Sequence, residues 1–309
     1  MADTCQPLDD AWRRGDVALE AFARGTYPGV RLPENTLAGL KTVGFWDAPR
    51  EQAWGLDWHR NEGIEITYVA KGSVKFSTGR GQWRLRGGDL TITRPWQRHR
   101  VGSPNIDACQ LHWLMIDVGV RRPQQPWKWP DWIVLSEPDL AHLTNLLRHC
   151  EEPVWPGGSS IGRVFGRIGE LVQSGPPDPS RESRLRLAIN EILVELLSLL
   201  EREVVVLDNH LSTVMRTVEY FLAEELPAQV ELGWDLATMA AHCGLGRTRF
   251  AHYVQEIVNM PPIRYLTECR LERGRTLLVD RPDMGITEVA YACGFGSGQY
   301  FATVFRDRS

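Results

Sequence analysis

Apolar and polar positions alternate over residues 63–118, which is the pattern of β-strands with one buried face. The segment "GIEITYVAKGSVKFSTGRGQWRLRGGDLTITRP" joins short runs of β-branched and aromatic residues through glycines, and "DACQLHWLMIDVGV" continues the pattern. Short strands with glycine turns and no helices between them are typical of an antiparallel sandwich or barrel. The pattern therefore predicts an antiparallel β domain in the first half of the chain.

The period then changes to that of helices over residues 137–150 and 161–172. A Pro/Gly/Ser-rich loop is predicted at 174–183, followed by a long helix at about 183–203. Five apolar residues of this helix follow a 4-3-4-3 spacing: Leu185, Ile189, Ile192, Leu196 and Leu199. This spacing is typical of a two-helix seam. It predicts a homodimer contact, with packing on the helix's own domain as the alternative.

Residues 211–306 have a helical pattern in which two similar turns occur 50 positions apart. The stretches "HCGLGRTRFAHYV" (242–254) and "ACGFGSGQYFATVF" (292–305) each place a glycine, Gly244 or Gly294, where a left-handed residue closes a tight turn. We expect Gly246 and Gly296 to cap the helices that follow, and Tyr300 to face inward. The polar faces of these helices are predicted to contain Arg247, Thr248, Arg249, Ala251, His252 and Gln255 in the first, and Ser297, Gly298, Gln299, Ala302, Thr303 and Arg306 in the second.

A helix from Pro261-Pro262 to about Leu278 separates the two turns. Its roughly 17 residues span about 25 Å at 1.5 Å per residue. A rigid spacer of this length can hold two recognition helices about one duplex turn apart, roughly 34 Å. The sequence therefore predicts one protein surface that contacts two successive major-groove segments of double-stranded DNA.

Length and composition support two domains in one chain. The chain has 309 residues, and eleven of its twelve tryptophans lie within residues 12–155. A net charge of −4 excludes a uniformly basic nucleic-acid binder, so DNA contact needs a local surface. The scattered cysteines indicate reduced thiols. No signal peptide and no membrane span are expected, which favours a cytoplasmic protein with no membrane partner.

The C-terminal motifs resemble the DNA-binding domain of the AraC/XylS transcription regulators. The resemblance rests on "LATMAAHCGLGRTRFAHYVQ", on the P-x-x-Y-L-x-x-x-R-L pattern from residue 262, and on "ITEVAYACGFGSGQYFATVFR". It implies a transcription regulator, an activator or a repressor, for which RNA polymerase is a possible partner, and members of the family usually continue with a further helix after "FRDRS". Gly274 stands where the family usually has alanine. The base-contacting positions that the resemblance implies are Thr248, Ala251, His252, Gly298, Gln299, Ala302 and Thr303.

The N-terminal motifs "WHRNEGIEITYVAKG" and "GGDLTITRPWQRH" resemble the cupin-like sensor domain of such regulators. The positions that bind metal in cupin enzymes hold His59, Asn61, Glu65 and His99 here. No metal is expected, although a divalent ion on His59, Glu65 and His99 is the alternative. Aromatic and polar side chains together suit a sugar-like or otherwise hydroxylated ligand. The predicted ligand-binding residues are His59, Arg60, Glu65, Trp83, Trp96, Arg98, His99 and Trp113.

The combined prediction is an α+β protein: an N-terminal antiparallel, cupin-like β-barrel with following helices, and a C-terminal all-α tandem helix-turn-helix. The predicted segments are 1–180 (sensor domain with an N-terminal arm), 181–207 (helical dimerisation segment and linker) and 208–309 (DNA-binding domain, expected to lack the family's last helix). The predicted function is ligand-responsive, sequence-specific transcription regulation by a homodimer, with no enzyme activity and no cofactor. The alternative is a metal-dependent cupin enzyme with a helical appendage.

Overall fold

The computed structural model describes residues 5–121, 125–150, 152–173, 178–202 and 211–308. The chain divides into two compact units, residues 1–209 and 210–309. The helix predicted as a dimerisation segment is part of the first unit. The rest of that predicted segment, 203–207, and the first residues assigned to the DNA-binding domain, 208–210, lie outside the described residues.

In its described residues, the first unit combines ten strands with four helices. Its helices are α1 (Gln6–Arg13), α2 (Glu137–His149), α3 (Gly158–Val172) and α4 (Arg181–Arg202). Its strands are β1 (Ala18–Ala23), β2 (Val30–Arg31), β3 (Leu40–Ala48), β4 (Leu56–His59), β5 (Ile64–Thr78), β6 (Gly81–Arg86), β7 (Asp89–Thr93), β8 (His99–Val101), β9 (Cys109–Ile116) and β10 (Val154–Pro156).

The strands pair in two parts that share the long strand β5. The main sheet has the order β10-β7-β5-β9-β3-β1-β2, and the small sheet joins β4, β8, β5 and β6. All pairs are antiparallel except β1 with β2. The antiparallel prediction is confirmed, but the barrel is corrected: the pairing among the described residues does not close. β5 passes from one sheet to the other at Gly72, where φ is +74° and a Cβ atom would lie 2.0 Å from the Ala108 carbonyl oxygen.

The two faces of the main sheet are buried by different partners. Its outer face, with Ile64 and Ile66 of β5, packs in one apolar cluster with α2, α3 and α4. Its inner face packs against the small sheet and α1. In the main sheet, the alternation along residues 64–69 of β5 therefore assigns even positions to the outer core and odd positions to the inner one, because successive side chains of a strand point to opposite faces.

The predicted dimer seam on α4 belongs to the outer cluster. These five side chains are at most 4% exposed and pack within their own unit: Leu185, Ile189, Ile192, Leu196 and Leu199. The prediction of a dimer contact on these residues is therefore corrected in favour of the alternative, packing on the helix's own domain. A seam-like spacing marks a buried helix face, and the sequence does not say whether the partner is a second chain or the same one.

The second unit is helical. Its elements are α5 (Leu211–Tyr220), a π-helical turn (Phe221–Glu225), α6 (Leu226–Ala228), α7 (Leu236–His242), α8 (Arg247–Val258), α9 (Pro262–Asp280), α10 (Ile286–Ala292) and α11 (Gly298–Arg308). Two apolar clusters form its cores. α9 contributes Leu266 to the first and Leu271 to the second, so the predicted spacer helix joins two separately packed halves.

Candidate functional site

The two turns of the second unit have the same hydrogen bonds at an offset of 50 residues. After α7, the Gly244 amide donates to Ala241 O and the Leu245 amide to Ala240 O, both at 2.9 Å. After α10, the Gly294 and Phe295 amides make the corresponding bonds at the same distance. Both glycines have positive φ, +67° and +80°. The repeated turn is therefore a repeated structure, with a left-handed glycine at each C-terminus.

The first recognition helix, α8, begins after Gly246 as predicted. Of the six predicted residues, five are exposed and Ala251 is half-buried. His252 lies 3.4 Å from Glu256, and Arg249 lies over the Tyr253 ring, 5.7 Å from its centroid. Each contact is made to the residue four positions further along α8, so the side chains of Arg249 and His252 lie along the helix surface. Thr248 and Gln255 are exposed with them, so α8 presents one continuous polar face.

The second recognition helix, α11, differs from the prediction at its start. The cap is Ser297, whose Oγ accepts the Tyr300 amide at 3.2 Å, and not Gly296. Gly298 packs against α10, where a Cβ atom would lie 2.7 Å from Thr287 Oγ1. The remaining predicted residues are exposed: Gln299, Ala302, Thr303 and Arg306.

The predicted inward orientation of Tyr300 is wrong, since 60% of this residue is exposed. Phe295 and Phe301 already fill the core beside it. Tyr291 of α10 is also exposed, at 58%. Tyr300 follows the polar Gln299 on the first turn of α11, and this position could have indicated from the sequence that Tyr300 is exposed.

The first unit contains a cavity over the inner face of the main sheet. Strand pairing places side chains from three neighbouring strands on its floor: Glu65 and Thr67 of β5, Leu111, Trp113 and Met115 of β9, and Thr42 and Trp46 of β3. α1 and the β1–β2 connection contribute Cys5, Leu8, Tyr27 and Pro28 to the lining. The volume open to the centres of water molecules is about 50 Å³, room for roughly four waters at 10–15 Å³ each.

A hydrogen-bonded group forms the polar end of this cavity. Glu65 Oε2 lies 2.7 Å from Asn61 Nδ2, which donates to it, and 2.9 Å from His99 Nε2. Burial would raise the pKa of Glu65, but the hydrogen bond from His99 and the charges of His99 and His59 outweigh it and lower that pKa below its ordinary value. Glu65 is therefore an ionised acceptor beside an otherwise mostly apolar cavity, suited to a ligand that donates a hydrogen bond.

The residues of the alternative metal site lie together, but their hydrogen bonds do not suit an ion. His59, Glu65 and His99 offer atoms within 4.8 Å of one another. Both ring nitrogens of His99 face acceptor oxygens, because Nδ1 lies 2.9 Å from Gln97 O and Nε2 faces Glu65. A metal would need one nitrogen deprotonated and freed from its acceptor. The arrangement therefore fits a self-satisfied polar group better than a metal centre.

The structure brings only part of the predicted ligand set to the cavity. His59, Glu65 and Trp113 line it, and His99 supports Glu65 from behind. The other four predicted residues are not among its lining residues: Arg60, Trp83, Trp96 and Arg98.

Local contacts show where these residues lie instead. Trp96 donates to Val120 O and packs in the outer cluster, while Trp83 packs beside Phe76. Arg98 lies over Trp58. Sequence reasoning missed Trp46 and Thr42, although the alternation of β3 places both on one face.

Two family models match the chain. The one described as AraC-like ligand binding domain matches residues 48–123, and the one described as Helix-turn-helix domain matches residues 239–309. The HTH-type transcriptional activator RhaS of Salmonella schwarzengrund is 26% identical over 265 residues, which cover 84% of this chain and 86% of that protein. RhaS of Klebsiella pneumoniae is 24% identical over 276 residues, covering 87% and 89%.

Solved structures that match the chain include unsaturated fatty acid bound wild-type ToxT from Vibrio cholerae. It is 14% identical, covers 86% of this chain and 90% of its own, and has a TM-score of 0.40. The DNA-binding domain of AdpA in complex with a target DNA is 24% identical, covers 28% of this chain and 78% of its own, and has a TM-score of 0.27. Among the described residues, no helix is long and apolar enough to cross a membrane.

Proposed function

The chain belongs to the AraC/XylS family of transcription regulators, and we propose that it binds two successive major-groove segments through α8 and α11 under the control of a small hydroxylated molecule. The observation that carries the DNA part is the pair of turns with matching hydrogen bonds on either side of α9. α9 has 19 residues, about 28 Å at 1.5 Å per residue. This length suits two recognition helices about one duplex turn apart, roughly 34 Å.

The base-contacting residues of this proposal are the exposed polar residues of the two helices. Selection from a random-duplex library should recover two short conserved blocks about one helical turn apart. His252→Ala and Gln299→Ala should each relax the preference at a few positions and cost about 1–3 kcal/mol on the preferred sequence. Arg247→Ala should weaken all sequences alike. Arg264→Ala, an exposed change on α9, is the matched control. Recovery of no shared sequence would contradict sequence-specific regulation.

The effector proposal rests on the cavity of the first unit. Glu65 offers an ionised acceptor, and Trp46 and Trp113 offer aromatic surface, a combination that suits hydroxyl groups on an apolar frame. Because the cavity holds only about four waters, a sugar needs the cover from Cys5–Leu8 or Tyr27–Pro28 to move outward. A ligand at a hundredfold excess over its Kd adds about 2.7 kcal/mol of stability.

A thermal-shift screen of sugars and smaller polyols tests this proposal. Glu65→Gln keeps the side chain's size and removes its charge, so it should abolish the shift. Glu34→Gln, an exposed change in the same unit, is the control. An unchanged melting temperature with every compound, or an equal shift in the Glu65 variant, would contradict a hydroxylated ligand at this site.

A homodimer remains part of the proposal, but on a different face of α4. Leu187 and Val194 are 67% and 50% exposed and lie seven residues apart, so they share one side of the helix. Sedimentation of the full chain tests this contact, and a monomer at micromolar concentration would contradict it. Activation through contact with RNA polymerase in the cytoplasm completes the proposal, and an in vitro transcription assay with and without effector measures it.

One observation favours a second function, a metal-dependent cupin enzyme with a helical appendage. His59, Glu65 and His99 lie close enough to hold an ion if the hydrogen bond between His99 and Glu65 breaks. Metal analysis of the purified protein separates the two functions. Stoichiometric metal that is lost in His99→Gln supports the enzyme, and substoichiometric metal supports a regulator without catalytic activity.

A further inference from the structure

The outward side of the small sheet carries a segregated group of positive charges. Lys75 lies on β5, Arg84 and Arg86 on β6, and Arg98 and Arg100 on or beside β8. We call these five residues, together with Trp58 of β4, the basic face. None of them lines the ligand cavity.

Strand register places these side chains on one surface. Lys75 pairs with Arg84, and Ser77 pairs with Arg100. Paired residues of neighbouring strands share a face, and successive residues alternate. The intervening residues point the other way and are buried: Val74, Phe76, Leu85, His99 and Val101.

Trp58 positions two of the arginines. The guanidinium carbons of Arg98 and Arg100 lie 4.7 and 4.8 Å from the centre of the Trp58 ring, within the range of a cation–π contact. In the described part of the chain, neither arginine forms an ion pair with a carboxylate, and Arg100 Nε has no hydrogen-bond acceptor. Both charges are therefore held in place without being neutralised by a carboxylate.

Acidic groups near the face are few and engaged. Asp107 pairs with Arg84 at 3.0 Å. The Asp57 carboxylate accepts the Trp58 amide at 2.7 Å, and the Asp89 carboxylate accepts the Arg86 amide. The five basic side chains outnumber these three carboxylates, so the face is positively charged in a chain whose net charge is −4.

The second unit has a net negative charge, so a basic face elsewhere in the chain would add to its attraction for DNA. Residues 210–309 contain ten arginines and no lysine against twelve acidic residues, a net charge of −2. The general affinity of a protein for duplex DNA comes mainly from cations that neutralise phosphates. A DNA-binding unit with a net negative charge supplies little of this attraction beyond its local contacts.

We propose that the basic face binds the phosphate backbone of duplex DNA that flanks the two recognition blocks. Arg98 and Arg100 are two residues apart on an extended segment, so their Cα atoms lie about 6.6 Å apart at 3.3 Å per residue, and their guanidinium groups both contact the Trp58 ring. DNA carries a negative charge every 3.4 Å of axis on each strand, so two neighbouring guanidinium groups can each meet a phosphate. The contact carries no sequence information. This inference rests on the DNA binding proposed above and adds a second DNA contact in the sensor unit.

Two duplexes and the full-length chain test it. A short duplex of about 25 bp holds only the selected recognition blocks, and a long one adds about two helical turns on each side. Affinity is measured on both between 50 and 200 mM salt for the parent and the double variant Arg98→Gln/Arg100→Gln. Arg98→Lys/Arg100→Lys keeps the charge, and Arg163→Gln/Arg167→Gln removes the same charge from exposed positions of α3.

The expected result is specific to the long duplex. Each lost phosphate contact lowers the slope of log K against log salt by about 0.9, so the Gln double variant should lose about two units there. Over this fourfold salt range, the parent's affinity should then fall about tenfold more than the variant's. The short duplex, the Lys variant and the α3 variant should match the parent.

Three results would overturn the inference. One is an unchanged slope on the long duplex, which would leave an acidic protein surface as the occupant of the face. The second is an equal loss on both duplexes, and the third is an equal loss in the α3 variant. If selection recovers no shared sequence, sequence-specific regulation fails, but the same comparison on any long duplex still decides whether the basic face binds phosphates.

Discussion

His112 should make the first unit lose stability as the pH falls below 6.5. Its side chain lies on the outer face of β9, 6% exposed, with ring centroids 5.3 Å from Phe45 and 6.0 Å from Phe165. Nδ1 is buried and has no hydrogen-bond partner among the described residues. Burial lowers the pKa of His112 from 6.5 to about 4, because no neighbour stabilises the charged ring.

The direction and size of the effect follow from proton linkage. The unfolded chain binds the proton near pH 6.5 and the native chain only near pH 4, so the unfolded state binds more protons between these values. Stability is complete above pH 6.5, falls as the pH drops and stops falling below pH 4. At 1.36 kcal/mol per pKa unit, the full loss is about 3 kcal/mol, and about 2 kcal/mol is lost at pH 5.

Urea unfolding at pH 7.5 and pH 5.0 measures this loss. Tryptophan fluorescence reports mainly on the first unit, which holds eleven of the twelve tryptophans. The parent should lose about 2 kcal/mol more than His112→Phe over this interval, since the phenylalanine ring does not titrate. His112→Gln is a second variant, because Gly169 lies close to the ring and the larger side chain could crowd it. His142→Gln, an exposed change on α2, should behave like the parent.

Equal losses in the parent and in both His112 variants would refute the reasoning. That result would mean that the native state accepts the proton at this position as easily as the unfolded chain does. The parent and His142→Gln should lose the same amount of stability between pH 7.5 and pH 5.0. The contribution of His112 is the difference between the parent's loss and that of a His112 variant, because the other titrating groups contribute equally to both.

Three further predictions concern packing. In thermal unfolding, Gly294→Ala should destabilise the second unit by more than about 3 kcal/mol and Gly244→Ala by about 1–2 kcal/mol. Both glycines have positive φ, but only at Gly294 would a Cβ atom lie 2.5 Å from a carbonyl oxygen. Equal losses of stability in the two variants would contradict this prediction. Gly274→Ala should lower the melting temperature of the second unit despite better helix propensity, since its Cβ would lie 2.9 Å from a phenylalanine ring of α11; a rise would show that the ring moves aside. Ile192→Glu should unfold the first unit, whereas Leu187→Glu should leave its circular dichroism unchanged and shift sedimentation toward monomer; a folded Ile192 variant would contradict the burial.

Local physical rules were enough to predict the second unit. A glycine in the left-handed region, a helix cap and an apolar face depend on residues within a few positions of each other, and a 50-residue repeat of all three leaves few alternatives. The two exceptions are positions where neighbouring residues compete for the same role, the helix cap or a place in the core. Ser297 caps α11 in place of Gly296 because its hydroxyl can accept an amide hydrogen bond. Tyr300 is exposed because two phenylalanines fill the core beside it.

In the first unit, local rules predicted the strands but not how the strands and helices pack together. The alternating pattern predicted strands, and the cupin-like motifs correctly placed Glu65 and His99 together across 34 residues. The pattern did not predict that the sheet stays open or that α1 lines the cavity, since strand order and covering elements depend on contacts between distant segments. Trp96 and Arg98 lie two residues apart within the motif "GGDLTITRPWQRH", yet neither lines the cavity.

The amino-acid sequence by itself determined the two units, the helical repeat and the polar surfaces of α8 and α11, because each follows from periodicity and turn chemistry over a few residues. Only the tertiary structure decided which partner each apolar face buries. The α4 seam packs against its own sheet and helices and leaves Leu187 exposed, although its spacing equally suits a second chain. Burial depends on which surfaces meet in three dimensions, and hydrophobic spacing records only that a face is buried.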